Sequence, residues 1–272
     1  MMSEPNRQKN NRVILETREL TKIFGGLTAV GTFNLAVHEG EISSLIGPNG
    51  AGKTTVFNAV TGIYRPEGGQ IIFNSEDITG KAPHRIVVRG IARTFQNIRL
   101  FPTMTCLENV MAGQHCRASS GLWASIFRTA RQKSEEKRAL EIAESRVRQV
   151  RLWDARNELA KNIAYGSQRM LEIARALATE PTLLVLDEPS SGLNTRETED
   201  LMTFLKDLIR QENVTILLIE HDMNVVMGIS DWVTVMDGGQ KIAEGTPEAV
   251  YNNPRVIEAY LGTDDDEDDE EI

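Results

Sequence analysis

The 272-residue chain has no apolar run long enough to cross a bilayer. Its longest, LLVL at Leu183–Leu186 and ILLI at Ile216–Ile219, fall far short of the ~20 residues a spanning helix needs, so any work at a membrane is expected to proceed by docking. Cysteine is scarce: Cys106 and Cys116 are the only two, at a spacing that fits neither a disulfide framework nor a metal cage. The opening MMSEPNRQKNNR lacks the apolar core of a secretory signal, and a reducing cytoplasm is the expected setting. Basic excess is also lacking. The net charge is −9, and eight acidic residues lie in Asp264–Glu271, which leaves the body at about −1. That excludes the electrostatic footprint of a nucleic-acid binder. No internal repeat is evident.

What is present is enough apolar material, 40% of residues, for a sizeable core. After a polar leader (residues 1–12), VILETRELTKIF and LTAVGTFNLAV read as strands with a turn between them, and EISSLI is a short apolar run ending at Gly47. KTTVFNAVTG then reads as a helix with Gly62 as its C-cap. The middle, Leu107 to Thr179, includes the charged, helically spaced RQKSEEKRALEIAESRVRQVRLW and predicts a helical subdomain. Two apolar runs, TLLVLD and VTILLIE, flank the helical TRETEDLMTFLKDLIRQ, a β-α-β order that favours a parallel sheet buried on both faces. WVTVMDGGQKIAEG reads as a hairpin turning at Gly238 and Gly239, and Thr246-Pro247 and Asn253-Pro254 each read as an N-cap followed by proline. Self-repulsion predicts a disordered tail at 263–272.

The chemistry begins at GPNGAGKTT: Gly47, Pro48, Asn49, Gly50, Ala51, Gly52, Lys53, Thr54 and Thr55 fit G-x-x-x-x-G-K-[ST] between a predicted strand and a predicted helix. The glycines allow backbone N–H groups to point at phosphate oxygens, and the helix N-terminus adds about half a positive charge. Lys53 is placed to reach the β- and γ-phosphates and Thr54 to ligate Mg²⁺. LLVLDEP supplies the carboxylates. Asp187 ends an apolar strand where α/β sheets put their ligands and is a second Mg²⁺ ligand; Glu188, next in the chain, is the candidate general base for an attacking water.

With those motifs in this order, the chain resembles the ATP-binding cassette ATPases of ABC transporters from about Val13 to Gly262. The resemblance implies an α/β P-loop NTPase fold with a RecA-like parallel core, an N-terminal antiparallel β subdomain, and a helical subdomain inserted at roughly 100–180. It implies that Phe24 stacks on adenine, that Gln96 contacts Mg²⁺ or water and senses a transmembrane partner, and that His221 contacts the γ-phosphate. It also implies that the loop from Ser190 to Asn194, with Asn194 where the family has aspartate, meets a second cassette. Ile163, Ala164, Tyr165, Gly166 and Ser167 fall on the five positions of the family signature LSGGQ, which binds the ATP held by the opposite subunit. The usual serine is Ala164 here. Losing that neutral hydroxyl contact costs about 0.5–1.5 kcal/mol, or up to about 3 kcal/mol if its acceptor is left dry, which tunes a site more readily than it abolishes one.

The segments AYG, RTFQNIRLF, LLIEHDMNVVMGISD and NPRVIEAYLG look most like one of the two ATPases of branched-chain amino acid importers. That implies ATP and Mg²⁺ as cofactors and a peripheral place on the cytoplasmic face of the membrane. The implied partners are a second, non-identical cassette, two transmembrane permease subunits docked near Arg99, Leu100 and Phe101, and indirectly a periplasmic or extracellular solute-binding protein. The alternatives are the same motor with urea, short amides or another amino acid as cargo, and a soluble ABC ATPase outside transport.

Overall fold

The structure, a computed structural model, describes residues 12–114 and 130–261, without the side chains of 130–133 and 261. Most of the expected polar leader, the expected disordered tail and Cys116 therefore lie outside the described residues.

Alternating apolar residues put β1 (Val13–Phe24) and β2 (Leu27–His38) into an antiparallel hairpin closed by Gly25 and Gly26, where Phe24 pairs with Leu27. The fully buried β3 (Ile42–Ile46) leads into the phosphate loop and α1 (Lys53–Val60). The C-cap of that helix is Thr61, one residue before the predicted Gly62, which follows it at positive φ. β4 (Gly68–Phe73) and β5 (Glu76–Asp77) return to the first sheet, which runs β2-β1-β4-β5. These strands, α2 (Pro83–Val88) and the short β6 (Ile91–Arg93) carry no clear periodic signal and are additions to the sequence reading.

The chain continues through α3 (Cys106–Gly113), α4 (Ala130–Gln149) and α5 (Tyr165–Leu177). Then β7 (Leu183–Asp187), α6 (Thr195–Glu212), β8 (Thr215–Ile219) and α7 (Met223–Ile229) alternate, before the hairpin β9 (Trp232–Asp237) and β10 (Gln240–Gly245). α8 (Pro247–Tyr251) and α9 (Pro254–Leu261) follow, each opening on its proline. The six-stranded sheet runs β10-β9-β3-β8-β7-β6, parallel except at the β9–β10 hairpin.

Both faces of that sheet are covered, which explains the continuous apolar runs LLVL of β7 and ILLI of β8. Leu183, Val185, Leu217 and Ile219 face the antiparallel sheet and α1 through Leu15, Phe33, Phe57 and Phe73. Their neighbours Leu184, Leu186, Ile216 and Leu218 face Ile173, Leu177, Leu201, Leu205 and Ile229 of α5, α6 and α7. A separate cluster of Cys106, Val110, Ala143, Val147, Leu171 and Ala174 ties α3, α4 and α5 together. This arrangement sets the C-terminal ends of β3, β7 and β8 side by side, with the loops that follow them at one edge.

Candidate functional site

The phosphate loop leaves β3 through Gly47 at φ 149° and enters α1 through Gly52 at φ 101°, both outside the comfortable range of a residue with a side chain. A Cβ at Gly47 would overlap the Met236 carbonyl, and one at Gly52 the Ala29 carbonyl. The turn therefore exists only because these positions are glycine. Pro48 and Ala51 are buried, Asn49 and Gly50 sit exposed at the tip, and Thr54 and Thr55 lie in the first turn of α1 with Thr54 facing solvent. Lys53 curls back into the loop, its Nζ donating to the carbonyls of Gly47 (2.6 Å) and Pro48 (2.7 Å). Burial pushes its pKa down, and the charges of Glu188 and then Asp187 oppose that shift. The lysine is thus enclosed in the loop within electrostatic reach of both carboxylates. From beneath, Tyr260 of α9 packs against the cluster containing Ile46; burial raises its phenol pKa, and the Gly47 backbone acts in the opposite direction.

β7 delivers Asp187 and Glu188 to the same edge. Glu188 adopts φ 47°, and its backbone N–H bonds the carbonyl of Ile219 at 3.0 Å on the neighbouring strand. Two residues far away in sequence converge on its carboxylate: Gln96 donates from Nε2 to Oε2 at 2.8 Å, and His221 Nδ1 stands 3.7 Å from the same oxygen. Lys53, Gln96, Asp187, Glu188 and His221 are therefore brought together. Phe24 stands at the end of β1, 40% exposed and edge-on to Tyr64 with ring centroids 5.1 Å apart. An aromatic surface of this kind is open to a stacking partner.

Sequence reasoning missed two charged side chains that shape this edge. Arg93, at the end of β6, donates to Asp187 Oδ2 at 2.6 Å with both side chains almost fully buried (6% and 5% exposed), and also to Asn58 and Thr61. Glu220, fully buried before His221, accepts the backbone N–H groups of Ser190 and His221. Neither carries a local pattern of its own: Arg93 ends the three-residue β6, and Glu220 follows the last residue of β8.

The signature residues lie elsewhere. Ile163 packs against the α3–α5 cluster, Ala164 is the N-cap of α5 without a side chain that can cap, and Tyr165 begins the helix. The Tyr165 hydroxyl donates to the Ser191 carbonyl at 3.3 Å, and its ring fills the space beside Gly192 (φ 77°), where a Cβ would sit 2.8 Å away. Gly166 fits against the Glu197 carboxylate, which with Asn194 forms the capping box of α6. Gly166 and Ser167 also line a cavity of about 490 Å³ between α4, α5 and α6. Asn194, in place of aspartate, thus has a helix-capping role in this chain. The sequence-predicted permease groove needs one correction: Leu100 turns inward against the α3–α5 cluster, so only Phe101, with Arg99 beside it, is exposed there.

Mg²⁺ is implied by the motif. Thr54, Gln96 and Asp187 offer hard oxygen donors, the chemistry of an ion held mostly by phosphate and water with one or two protein ligands. Among the described residues no cluster of three or more His, Cys, Asp or Glu side chains forms a metal cage. The donors fit an ion that arrives with the nucleotide.

A family model described as ABC transporter matches residues 30–191, and one described as branched-chain amino acid ATP-binding cassette transporter matches 240–266. The chain is 49% identical over 252 residues to the high-affinity branched-chain amino acid transport ATP-binding protein BraF of Pseudomonas aeruginosa, covering 93% of this chain and 99% of that one. It is 47% identical over 249 residues to the protein LivG of Escherichia coli K12, named for the same role, covering 92% and 98%. Among solved structures, a nucleotide-free ATP-binding cassette from an ABC transporter superposes with a TM-score of 0.81 at 32% identity, covering 92% of this chain and 99% of that one. A cassette in its ADP conformation superposes with a TM-score of 0.80 at 31% identity, covering 93% and 100%. The phosphate loop, the paired carboxylates after β7 and these likenesses together mean that the chain belongs to the ATP-binding cassette family, the ATPases of ABC transporters.

Proposed function

We propose that this chain is the ATP-hydrolysing motor of a branched-chain amino acid importer, with Glu188 as its general base. The observation that carries the assignment is the convergence of Gln96 and His221 on one oxygen of Glu188 beside the loop that encloses Lys53. The loop N–H groups and Lys53 bind the phosphates, and Phe24 takes the adenine. Gln96 and His221 orient the Glu188 carboxylate, which accepts the proton of the attacking water. Thr54, Asp187 and Gln96 would hold Mg²⁺, which would supply positive charge against the nucleotide phosphates.

Ala164 to Ser167 serve the ATP of a second, non-identical cassette, and Phe101 with Arg99 receives a permease helix. Residues roughly 100–180 are the arm that carries both surfaces. The same reading puts the chain at the cytoplasmic face of the membrane with two permease subunits, reached indirectly by a solute-binding protein. The names of the relatives BraF and LivG support branched-chain amino acids as cargo.

Glu188→Gln is expected to bind ATP with unchanged affinity and to lose turnover by at least a hundredfold; a rate equal to the unmodified chain refutes the general-base role. For the cargo, ATPase of the reconstituted importer is expected to rise with binding protein loaded with leucine, isoleucine or valine. A rise with urea or a short amide in their place identifies the alternative.

A further inference from the structure

We propose that Arg169 of the signature helix is a positioning residue for hydrolysis in its own subunit. The inference rests on the roles given above to Gln96 and Glu188, and it concerns how they are held. Arg169 is fully buried on α5, one turn after Tyr165. Its guanidinium spans two consecutive carbonyls: Nη1 donates to Phe95 at 2.8 Å and Nη2 to Gln96 at 2.8 Å. Nη1 also meets Glu172 Oε2 at 3.1 Å. The other Glu172 oxygen accepts the Arg99 backbone N–H at 3.0 Å, so α5 grips the same loop again three residues further on.

An apolar residue would pack α5 against that loop without the desolvation cost of a buried ion. What an apolar residue cannot do is fix the orientation of the two peptide groups that flank Gln96, which the planar fork of a guanidinium does by binding both of their carbonyls. The Gln96 side chain leaves the backbone between those two peptides for Glu188, 2.8 Å away. On the other flank of the carboxylate, Tyr165 bonds the Ser191 carbonyl and faces Gly192, and its hydroxyl lies 3.4 Å from Arg169 Nη2. One helix face therefore touches the loop that brings Gln96 and the loop that follows Glu188. The helix that offers its N-terminus to the partner's ATP also sets the geometry of its own catalytic carboxylate.

The test is steady-state kinetics on the full chain. Arg169→Lys keeps the charge beside Glu172 but cannot bind both carbonyls in the same fixed geometry. Its expected effect is a loss in kcat of about tenfold, the scale of one charge-assisted hydrogen bond, with ATP affinity changed less than about twofold. In a Gln96→Ala background the same substitution is expected to cost nothing further, since the group through which it acts is gone; a purely structural role lowers the rate in both backgrounds. Should Arg169→Lys fail to fold, Arg169→Met with Glu172→Leu removes both buried charges together and is expected to fold with kcat at least about tenfold down. Full turnover in either variant, or an additive loss in the Gln96→Ala background, overturns the proposal. If Gln96→Ala or Glu188→Gln itself keeps full turnover, the reading of the site falls and the proposal with it. If both lose turnover while Arg169→Lys keeps it, the proposal alone falls.

Discussion

Arg93→Met is expected to destabilise the protein by about 3 kcal/mol, and magnesium with ATP is expected to return part of that loss. In the folded protein the guanidinium is 2.6 Å from Asp187, bonded also to Asn58 (2.7 Å) and Thr61 (3.1 Å), and it lies between the rings of Phe57 and Phe95. Removing one partner of such a buried pair strands the other charge, which costs roughly 3–5 kcal/mol. The lower end applies because Lys53, enclosed in the neighbouring loop, interacts electrostatically with Asp187. With an unfolding slope of about 3 kcal/mol per molar urea, the midpoint should drop by about 1 M. If Asp187 ligates the ion that accompanies ATP, the ion supplies the missing positive charge, so magnesium with ATP should raise the midpoint more in Arg93→Met than in the unmodified chain. Asp187→Asn added to Arg93→Met should recover most of the loss without nucleotide. A change below about 0.5 kcal/mol, or equal stabilisation of both proteins by magnesium with ATP, refutes the reasoning.

Two further outcomes follow from side-chain geometry. Gly47→Ala combines a φ of 149° with overlap against the Met236 carbonyl, so titration with a fluorescent ATP analogue should show at least a tenfold loss of affinity; unchanged affinity would mean that the loop adopts another conformation in solution. Burial, with a smaller contribution from Glu158, raises the Cys106 thiol above its ordinary value of 9.0. The folded state therefore holds less thiolate than the unfolded chain at any pH near 8.5, and mass spectrometry should find Cys106 alkylated by iodoacetamide only after denaturation.

Much of this was readable in the chain because the informative segments are short and local. GPNGAGKTT carries its own glycines and lysine, and ISSLI, LLVLD and TILLI announce a sheet covered on both sides because every residue in them is buried. The order β10-β9-β3-β8-β7-β6 was not readable, since it depends on which faces pack after folding. Arg93, Arg169 and Glu220 were also invisible, for a related reason. Each takes its role from partners remote in sequence: Asp187 is 94 residues from Arg93, Gln96 is 73 from Arg169, and Ser190 is 30 from Glu220. Single-sequence patterns report period and local turns, whereas a buried charge is explained only by the acceptors that tertiary structure brings to it.

Glu188 stands at φ 47°, a backbone setting that suits glycine far better than a residue with a Cβ. A non-glycine residue in such a conformation costs about 1 kcal/mol or more, so replacement by glycine would relax the strand end while removing the carboxylate. Selection for thermal robustness alone would therefore favour erasing the residue proposed as the general base. The cassette keeps a less comfortable backbone at the position of its proposed general base, and an engineer seeking a hardier variant should leave this position untouched and look for gains elsewhere.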